Sequence, residues 1–200
     1  SRGNGYISLY CIKNIKFTVA DRAYSDVLIV VSGGNLDVIN CSFTSISVPE
    51  VIYASGFAKV NIVDSIFSDI VGSAVSGNPV LTVNNSIFEK FSAFYHRSGV
   101  ESYNCVFPIT KSIEVYNSLF RNNTMGIVNL RPMTYSSSPI LGATISDGVS
   151  HDVYAYIENS TFINNSAYGE TNEINHGAGA IWSCNSVMDV KNSTFKENHA

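Results

Sequence analysis

The segment ENSTFINNSA at 158–167 returns as KNSTFKENHA at 191–200, 33 positions further on. A one-off reactive motif has no reason to be written twice, whereas a structural unit does, because stacked copies of a unit meet equivalent surroundings. Aligning on the Asn recovers more copies: LDVINCSF (36–43), VNIVDSIF (60–67), LTVNNSIF (81–88), IEVYNSLF (113–120), YIENSTF (156–162) and MDVKNSTF (188–195). VESYNCVF (100–107) and CIKNIKF (11–17) fit more loosely. The shared pattern is apolar-x-apolar-x-[Asn/Asp]-[Ser/Cys]-x-Phe.

The phenylalanines Phe17, Phe43, Phe67, Phe88, Phe107, Phe120, Phe162 and Phe195 are separated by 26, 24, 21, 19, 13, 42 and 33 residues. The first four intervals suit one repeat per turn of a solenoid. An interval of 13 is too short for a turn, so Val100–Thr110 reads as an excursion within a longer one. The interval of 42 holds either two turns or one turn with an insertion, and the Pro- and Ser-rich run Arg131–Pro139 favours a loop.

Within each copy apolar and polar residues alternate at period two, the pattern of a strand, and no segment carries a helical stripe between caps. The expected fold is all-β, a right-handed parallel β-helix (β-solenoid) of roughly 7–8 coils spaced about 4.8 Å apart. Residues 1–200 read as a single β-helix segment expected to belong to a longer chain, with loop insertions at 131–151 and 168–178.

In this arrangement each Asn turns the chain, since Asn tolerates left-handed backbone and bonds nearby peptide groups. Stacked in register, Asn40, Asp64, Asn85, Asn117, Asn159 and Asn192 form a ladder of side-chain hydrogen bonds. Phe43, Phe67, Phe88, Phe120, Phe162 and Phe195 return to the interior and stack ring on ring. Asn123, Asn165 and Asn198, each three residues after its Phe, form a second, shorter ladder.

Gly177-Ala178-Gly179-Ala180-Ile181, followed by Phe195-x-x-Asn198, resembles the GGAI/FxxN pairing of the chlamydial polymorphic outer-membrane-protein repeat. Phe120-x-x-Asn123 and Phe162-x-x-Asn165 supply further FxxN halves, while the first 110 residues carry FTSI, FSDI and FEKF instead. The resemblance implies a parallel β-helix on a microbial surface, as in adhesins and autotransporter passengers. In that family FxxN precedes another coil, so the resemblance implies that the array runs on past Ala200.

Only 14% of residues are charged and the net charge is −4, so the chain has no basic surface for a nucleic-acid backbone. No apolar run reaches the 18 residues of a membrane span. Cys11, Cys41, Cys105 and Cys184 lack zinc spacing and admit three disulfide pairings, with free buried thiols as the alternative. A Cys11–Cys41 bridge requires them one coil apart. Six N-x-[S/T] acceptors occur, at Asn40, Asn84, Asn122, Asn159, Asn164 and Asn192. Asn40, Asn159 and Asn192 are ladder residues whose amides are expected to face inward. Asn84, Asn122 and Asn164 precede a ladder Asn and are expected to point outward, which makes them the glycan candidates. Together, repeat type, sequons and low charge place the chain outside the cell or on its surface.

No catalytic constellation is visible, and no cofactor is expected. The sixteen acids are scattered. Glu170, Glu173 and His176 form the best local cluster, in a Gly/Asn-rich loop that solvated charges explain more simply. Asp64 and Asp69 flank Phe67, with Asp64 replacing a ladder Asn as a turn residue; Arg97, Arg121 and Arg131 have no acidic cluster beside them in sequence, although stacking could assemble one; and His96, His151 and His199 are isolated. The expected function is a non-enzymatic extracellular structural or adhesive element, a rigid shaft or filament component. It would associate or continue end to end and offer Tyr135, Tyr154, Tyr156 and Tyr168 to a carbohydrate or protein ligand. The alternative is a carbohydrate-active β-helix enzyme whose carboxylates meet only in three dimensions.

Overall fold

The computed structural model describes residues 9–18, 27–56, 58–77, 79–92, 94–95, 101–103, 106–107, 112–126, 153–168, 180–181 and 186–199. Among them the secondary structure is entirely strand. In chain order the elements are β1 (Leu9–Lys13), β2 (Lys16–Thr18), β3 (Ile29–Ser32), β4 (Asn35–Ile39), β5 (Ser42–Ser55), β6 (Lys59–Val63) and β7 (Ile66–Ser76). They continue as β8 (Val80–Asn84), β9 (Ile87–Ser92), β10 (Phe94–Tyr95), β11 (Glu101–Tyr103), β12 (Ser112–Tyr116) and β13 (Leu119–Arg121). The last are β14 (Thr124–Gly126), β15 (Val153–Glu158), β16 (Thr161–Ile163), β17 (Ser166–Tyr168), β18 (Ser186–Lys191) and β19 (Thr194–Lys196).

Two large sheets contain most of these strands. One has the order β1-β4-β6-β8-β12-β15-β18 and the other β19-β16-β13-β9-β7-β5-β2, with β3 also pairing β5. Every pairing within them is parallel. Each pass of the chain therefore lays one strand in the first sheet, turns at the Asn of the repeat and lays a Phe-bearing strand in the second.

The turn has a backbone cause. Asn14, Asn40, Asp64, Asn85, Asn117, Asn159 and Asn192 all adopt φ between 47° and 58°. A second column of left-handed residues follows two positions after each Phe: Ser45, Asp69, Lys90, Asn122, Asn164 and Glu197, with φ between 51° and 59°. Asn and Asp enter this region at lowest cost among non-glycine residues, which explains the first column; in the second, Ser45, Lys90 and Glu197 carry the strain. Lys90 is exposed, and Lys90→Asn is expected to raise stability by about 0.5–1 kcal/mol through relief of that strain. A urea midpoint that does not rise would contradict this.

Between the corners the side chains alternate. Leu36, Val60, Leu81, Ile113 and Ala155 form one buried column and Val38, Ile62, Val83, Val115 and Ile157 another, each aligned by strand register. The phenylalanines form a third. Ring centroids are 4.5 Å apart for Phe17–Phe43, 4.4 Å for Phe43–Phe67, 5.0 Å for Phe67–Phe88 and Phe88–Phe120, 4.9 Å for Phe120–Phe162 and 4.7 Å for Phe162–Phe195. All six pairs lie within 12° of coplanar.

Phe107 stands outside this stack. It presents an edge to Phe88 at 5.1 Å and to Phe120 at 6.1 Å, while the Val106 carbonyl accepts from the Ala74 amide at 2.9 Å. Here β10 and β11 pair antiparallel, so the short interval in the sequence marks an excursion that returns to cover the column. At Gly72 (φ 131°) a Cβ would sit 1.8 Å from the Val48 carbonyl oxygen, so the passes of β5 and β7 approach too closely there for any side chain. The expected insertion 131–151 lies outside the described residues, as does 168–178 apart from Tyr168 at the end of β17.

Candidate functional site

The polar side chains that sequence reasoning singled out fall into three places: buried ladders, exposed corners and the outer faces of the sheets. The most continuous ladder is made by the residue after each corner Asn. The amide of Cys41 donates to Ser65 Oγ at 3.1 Å, Ser65 to Ser86 Oγ at 3.1 Å, Ser86 to Ser118 Oγ, Ser118 to Ser160 Oγ and Ser160 to Ser193 Oγ, the last three at 3.2 Å. Each of these hydroxyls also donates to the carbonyl two residues earlier, at 2.7–2.9 Å. The repeat's Ser/Cys position signalled this ladder, but its role depends on an amide one pass away and emerges only on stacking. Ser118 is 3% exposed; Ser118→Ala orphans the Ser86 amide and is expected to cost about 1–3 kcal/mol. A urea titration and hydrogen exchange at Ser86 check this; an unchanged midpoint would show that the hydroxyl is dispensable.

A second ladder joins the FxxN asparagines. Asn123 and Asn165 are fully buried, and Asn123 Nδ2 donates to Asn165 Oδ1, as Asn165 Nδ2 does to Asn198 Oδ1, both at 2.9 Å. The same amides donate to the carbonyls of Phe88, Phe120 and Phe162 and accept from the backbone N–H of Phe91, Asn123 and Asn165. In the earlier passes this position holds Ile46, Ile70 and Phe91, where the strand runs on without a break and its own backbone is paired. Where Asn stands, the strand is interrupted and the side-chain amide substitutes for the missing backbone partners.

The corner column differs from expectation. Asn40, Asp64, Asn85, Asn117, Asn159 and Asn192 are all exposed, because a left-handed residue swings its side chain out of the strand alternation. The inward placement expected for Asn40, Asn159 and Asn192 is thus overturned. The corner ladder is also discontinuous: Asn40 Nδ2 donates to Asn14 Oδ1 at 2.8 Å and Asn85 Nδ2 to Asp64 Oδ1 at 2.6 Å, but Asn117 Nδ2 reaches Asn84 Oδ1 at 3.1 Å. Asn84 is half-buried at the end of β8, whereas Asn122 and Asn164 are exposed at second-column corners, joined by an Asn164 Nδ2 to Asn122 Oδ1 bond of 2.9 Å.

Cys11 and Cys41 are free. Cys11 is exposed and registered against Asp37, while Cys41 is buried and points its thiol at the Ile39 and Ile12 carbonyls, 3.3 and 3.5 Å away. The two thiols therefore occupy different faces, and the Cys11–Cys41 bridge is not made. Cys105 and Cys184 lie outside the described residues, as do Glu170, Glu173, His176, His96, His151, Arg97, Arg131 and Tyr135.

The outer face of the first sheet gathers aromatic and acidic groups near its C-terminal end. Tyr116 and Tyr156 approach at 5.6 Å between ring centroids; their hydroxyls donate to Glu114 at 3.2 Å and Glu158 at 3.0 Å. Partial desolvation, then these carboxylates, raises both phenol pKa values above the ordinary range, so the hydroxyls stay donors. Lys191 Nζ lies 2.9 Å from Asp189 and 5.0 Å from the Tyr156 ring centre. Tyr154 is exposed beside them, and Tyr168 closes β17.

On the second sheet, Glu89 accepts from Ser68 Oγ at 3.0 Å and pairs with Arg121 Nε at 2.5 Å. Burial alone would raise the Glu89 pKa, but the Arg121 and Ser68 hydrogen bonds and the Arg121 charge outweigh it and lower it. A depressed acid stabilises the fold above its unfolded pKa and loses that contribution as pH falls through the folded value. Acidification below about pH 4 is thus expected to erode stability by less in Arg121→Gln than in the parent, by up to about 1 kcal/mol after solvent screening. Equal acid slopes in urea titrations would exclude it. Asp69 accepts from Ser45 Oγ at 2.9 Å. Glu50 is 4% exposed and accepts from Ser76 Oγ at 2.5 Å, while the buried Ser73 hydroxyl has no partner among the described residues.

Among the described residues no group of three or more His, Cys, Asp or Glu side chains could hold a metal ion, and the carboxylates of Asp64, Asp69, Glu89, Glu114 and Glu158 accept hydrogen bonds from neighbouring side chains. No helix among them is long and apolar enough to cross a membrane. Comparison with protein-family models, curated proteins and solved structures finds no match.

Proposed function

We propose that this chain is a stretch of right-handed parallel β-helix serving as a non-enzymatic structural or adhesive element outside the cell, a rigid shaft or filament component of a surface or appendage. The observation that carries the reading is the six-step phenylalanine stack, backed by the serine ladder, which runs through all seven passes of the two sheets. Such an array resists bending because every pass is tied to both neighbours by strand pairing, ring stacking and side-chain bonds at once. The resemblance to the chlamydial surface repeat belongs to the same reading, and the FxxN ladder supports it.

Growth by further passes, from the same chain or another copy, is part of this proposal, and the exposed strand edges support it. Met188, Val190 and Phe195 occupy the interior columns yet are 42%, 38% and 45% exposed, and they suit a following pass with the same pattern. The outer faces, Tyr154 and Tyr156 among them, are where a carbohydrate or protein ligand would dock.

Electron microscopy of the purified chain, with assays on polysaccharides alongside, tests this. Straight rods of constant width, lengthening with concentration, and no cleavage are expected. Compact particles that cleave a polysaccharide would replace the reading with that of an enzyme.

A further inference from the structure

Of the six sequons, two differ from the rest in the state of the side chain that a glycan would occupy. Asn40 and Asn164 each commit Nδ2, the nitrogen that takes the sugar, to a neighbouring Asn at 2.8 and 2.9 Å. Asn122 is the acceptor of the second of those bonds, and Asn84 is half-buried and holds Asn117 through its Oδ1. A sugar at any of these four breaks or crowds a contact between passes. Asn159 and Asn192 are exposed, sit at left-handed corners with φ of 50° and 48°, and engage their side-chain amides with no other described residue. Both head the same tripeptide, Asn-Ser-Thr, and both keep that tripeptide's Ser in the serine ladder, so the corner is tied down by its Ser while the Asn side chain stands clear of it.

We propose that the corner formed by Asn159 and Asn192 is an N-linked glycan acceptor site, and that the folded pair carries a single glycan. The two residues are adjacent rungs of one column, since the Asn159 backbone N–H donates to the carbonyl of Lys191, the residue before Asn192, at 3.1 Å. Side chains in that relation stand one strand spacing apart, about 4.8 Å, which is too close for two sugars attached side by side. The step joins Nδ2 to the anomeric carbon of an oligosaccharide carried on a lipid diphosphate. The bond from that carbon to the carrier breaks, the carrier leaves with the electron pair, and the amide proton passes to a base of the transferase. The biological occurrence of this step rests on the extracellular reading above; the competence of the corner does not.

The test is secretion of the full chain from a eukaryotic cell line, followed by enzymatic release of glycans in heavy-oxygen water and peptide mass spectrometry. The label is expected at Asn159 or Asn192, with one addition per folded molecule across the pair. Asn159→Asp, which keeps a residue suited to the left-handed corner, moves the label to Asn192 without changing the intact mass class. Asn159→Asp with Asn192→Asp removes it, and an unchanged thermal midpoint shows that the loss is not a folding failure. Label at Asn40 or Asn164 with this corner bare, two glycans on the pair, or a bare secreted chain would each overturn the proposal. Occupancy on secretion combined with a bare chain from a glycosylating native source would count against the extracellular reading and leave the acceptor assignment standing.

Discussion

Phe120→Ala is expected to lower the stability of the array by about 3–5 kcal/mol. Its ring lies between Phe88 and Phe162, at 5.0 and 4.9 Å, and Phe107 packs an edge against it, so truncation empties a site bounded on three sides by aromatic rings. None of these neighbours can collapse into the space without leaving its own stacking partner. The control is Phe195→Ala, whose ring is stacked on one side only and 45% exposed; there a loss of about 1–2 kcal/mol is expected. Urea titrations of both variants check the contrast, and equal losses would mean that the stack does not act as a continuous column.

Asn165→Leu is expected to be nearly as damaging, at about 3–5 kcal/mol, although Ile70 and Phe91 hold equivalent positions without harm. The Asn165 amide serves four partners: the Asn123 backbone N–H, Asn123 Nδ2, Asn198 Oδ1 and the Phe120 carbonyl. Leucine fills the volume and abandons all four, two of them on the fully buried Asn123. In the reciprocal change, Ile70→Asn, the strand backbone is already paired and the new amide finds no vacant partner, so a loss of similar size is expected. If Asn165→Leu proved neutral by urea titration, the amides would be passengers in the interior and the two halves of the array interchangeable.

Much of this design was legible in the sequence. The Phe at fixed distance from a small polar turn residue specified the stacked column, and the short interval before Phe120 located the excursion that carries Phe107. FxxN against FxxI marked where the inner ladder begins. The orientation of the corner asparagines was not legible, because period-two alternation places Asn40 on the face of Leu36 and Val38 only while the chain stays extended, and at φ 50° it does not. The serine ladder was visible as a constant letter without a mechanism. Glu50, Ser73 and Ser76 carried no signal at all: their burial arises from the approach of β5 and β7 at Gly72.

The ladders also have a direction. In the interior, backbone N–H groups point from Cys41 to Ser65 and onward to Ser193, always toward the later pass, while the buried Asn amides donate both ways, forward from Asn123 to Asn165 to Asn198 and back to the Phe88, Phe120 and Phe162 carbonyls. At the corners, Asn40 donates back to Asn14, Asn85 to Asp64, Asn117 to Asn84 and Asn164 to Asn122. The serine ladder and the rim are thus two opposed rows of dipoles, and aligned dipoles accumulate with length as they do along a helix. Opposing them offsets part of the charge that either row alone would build up at the ends of an array as passes are added.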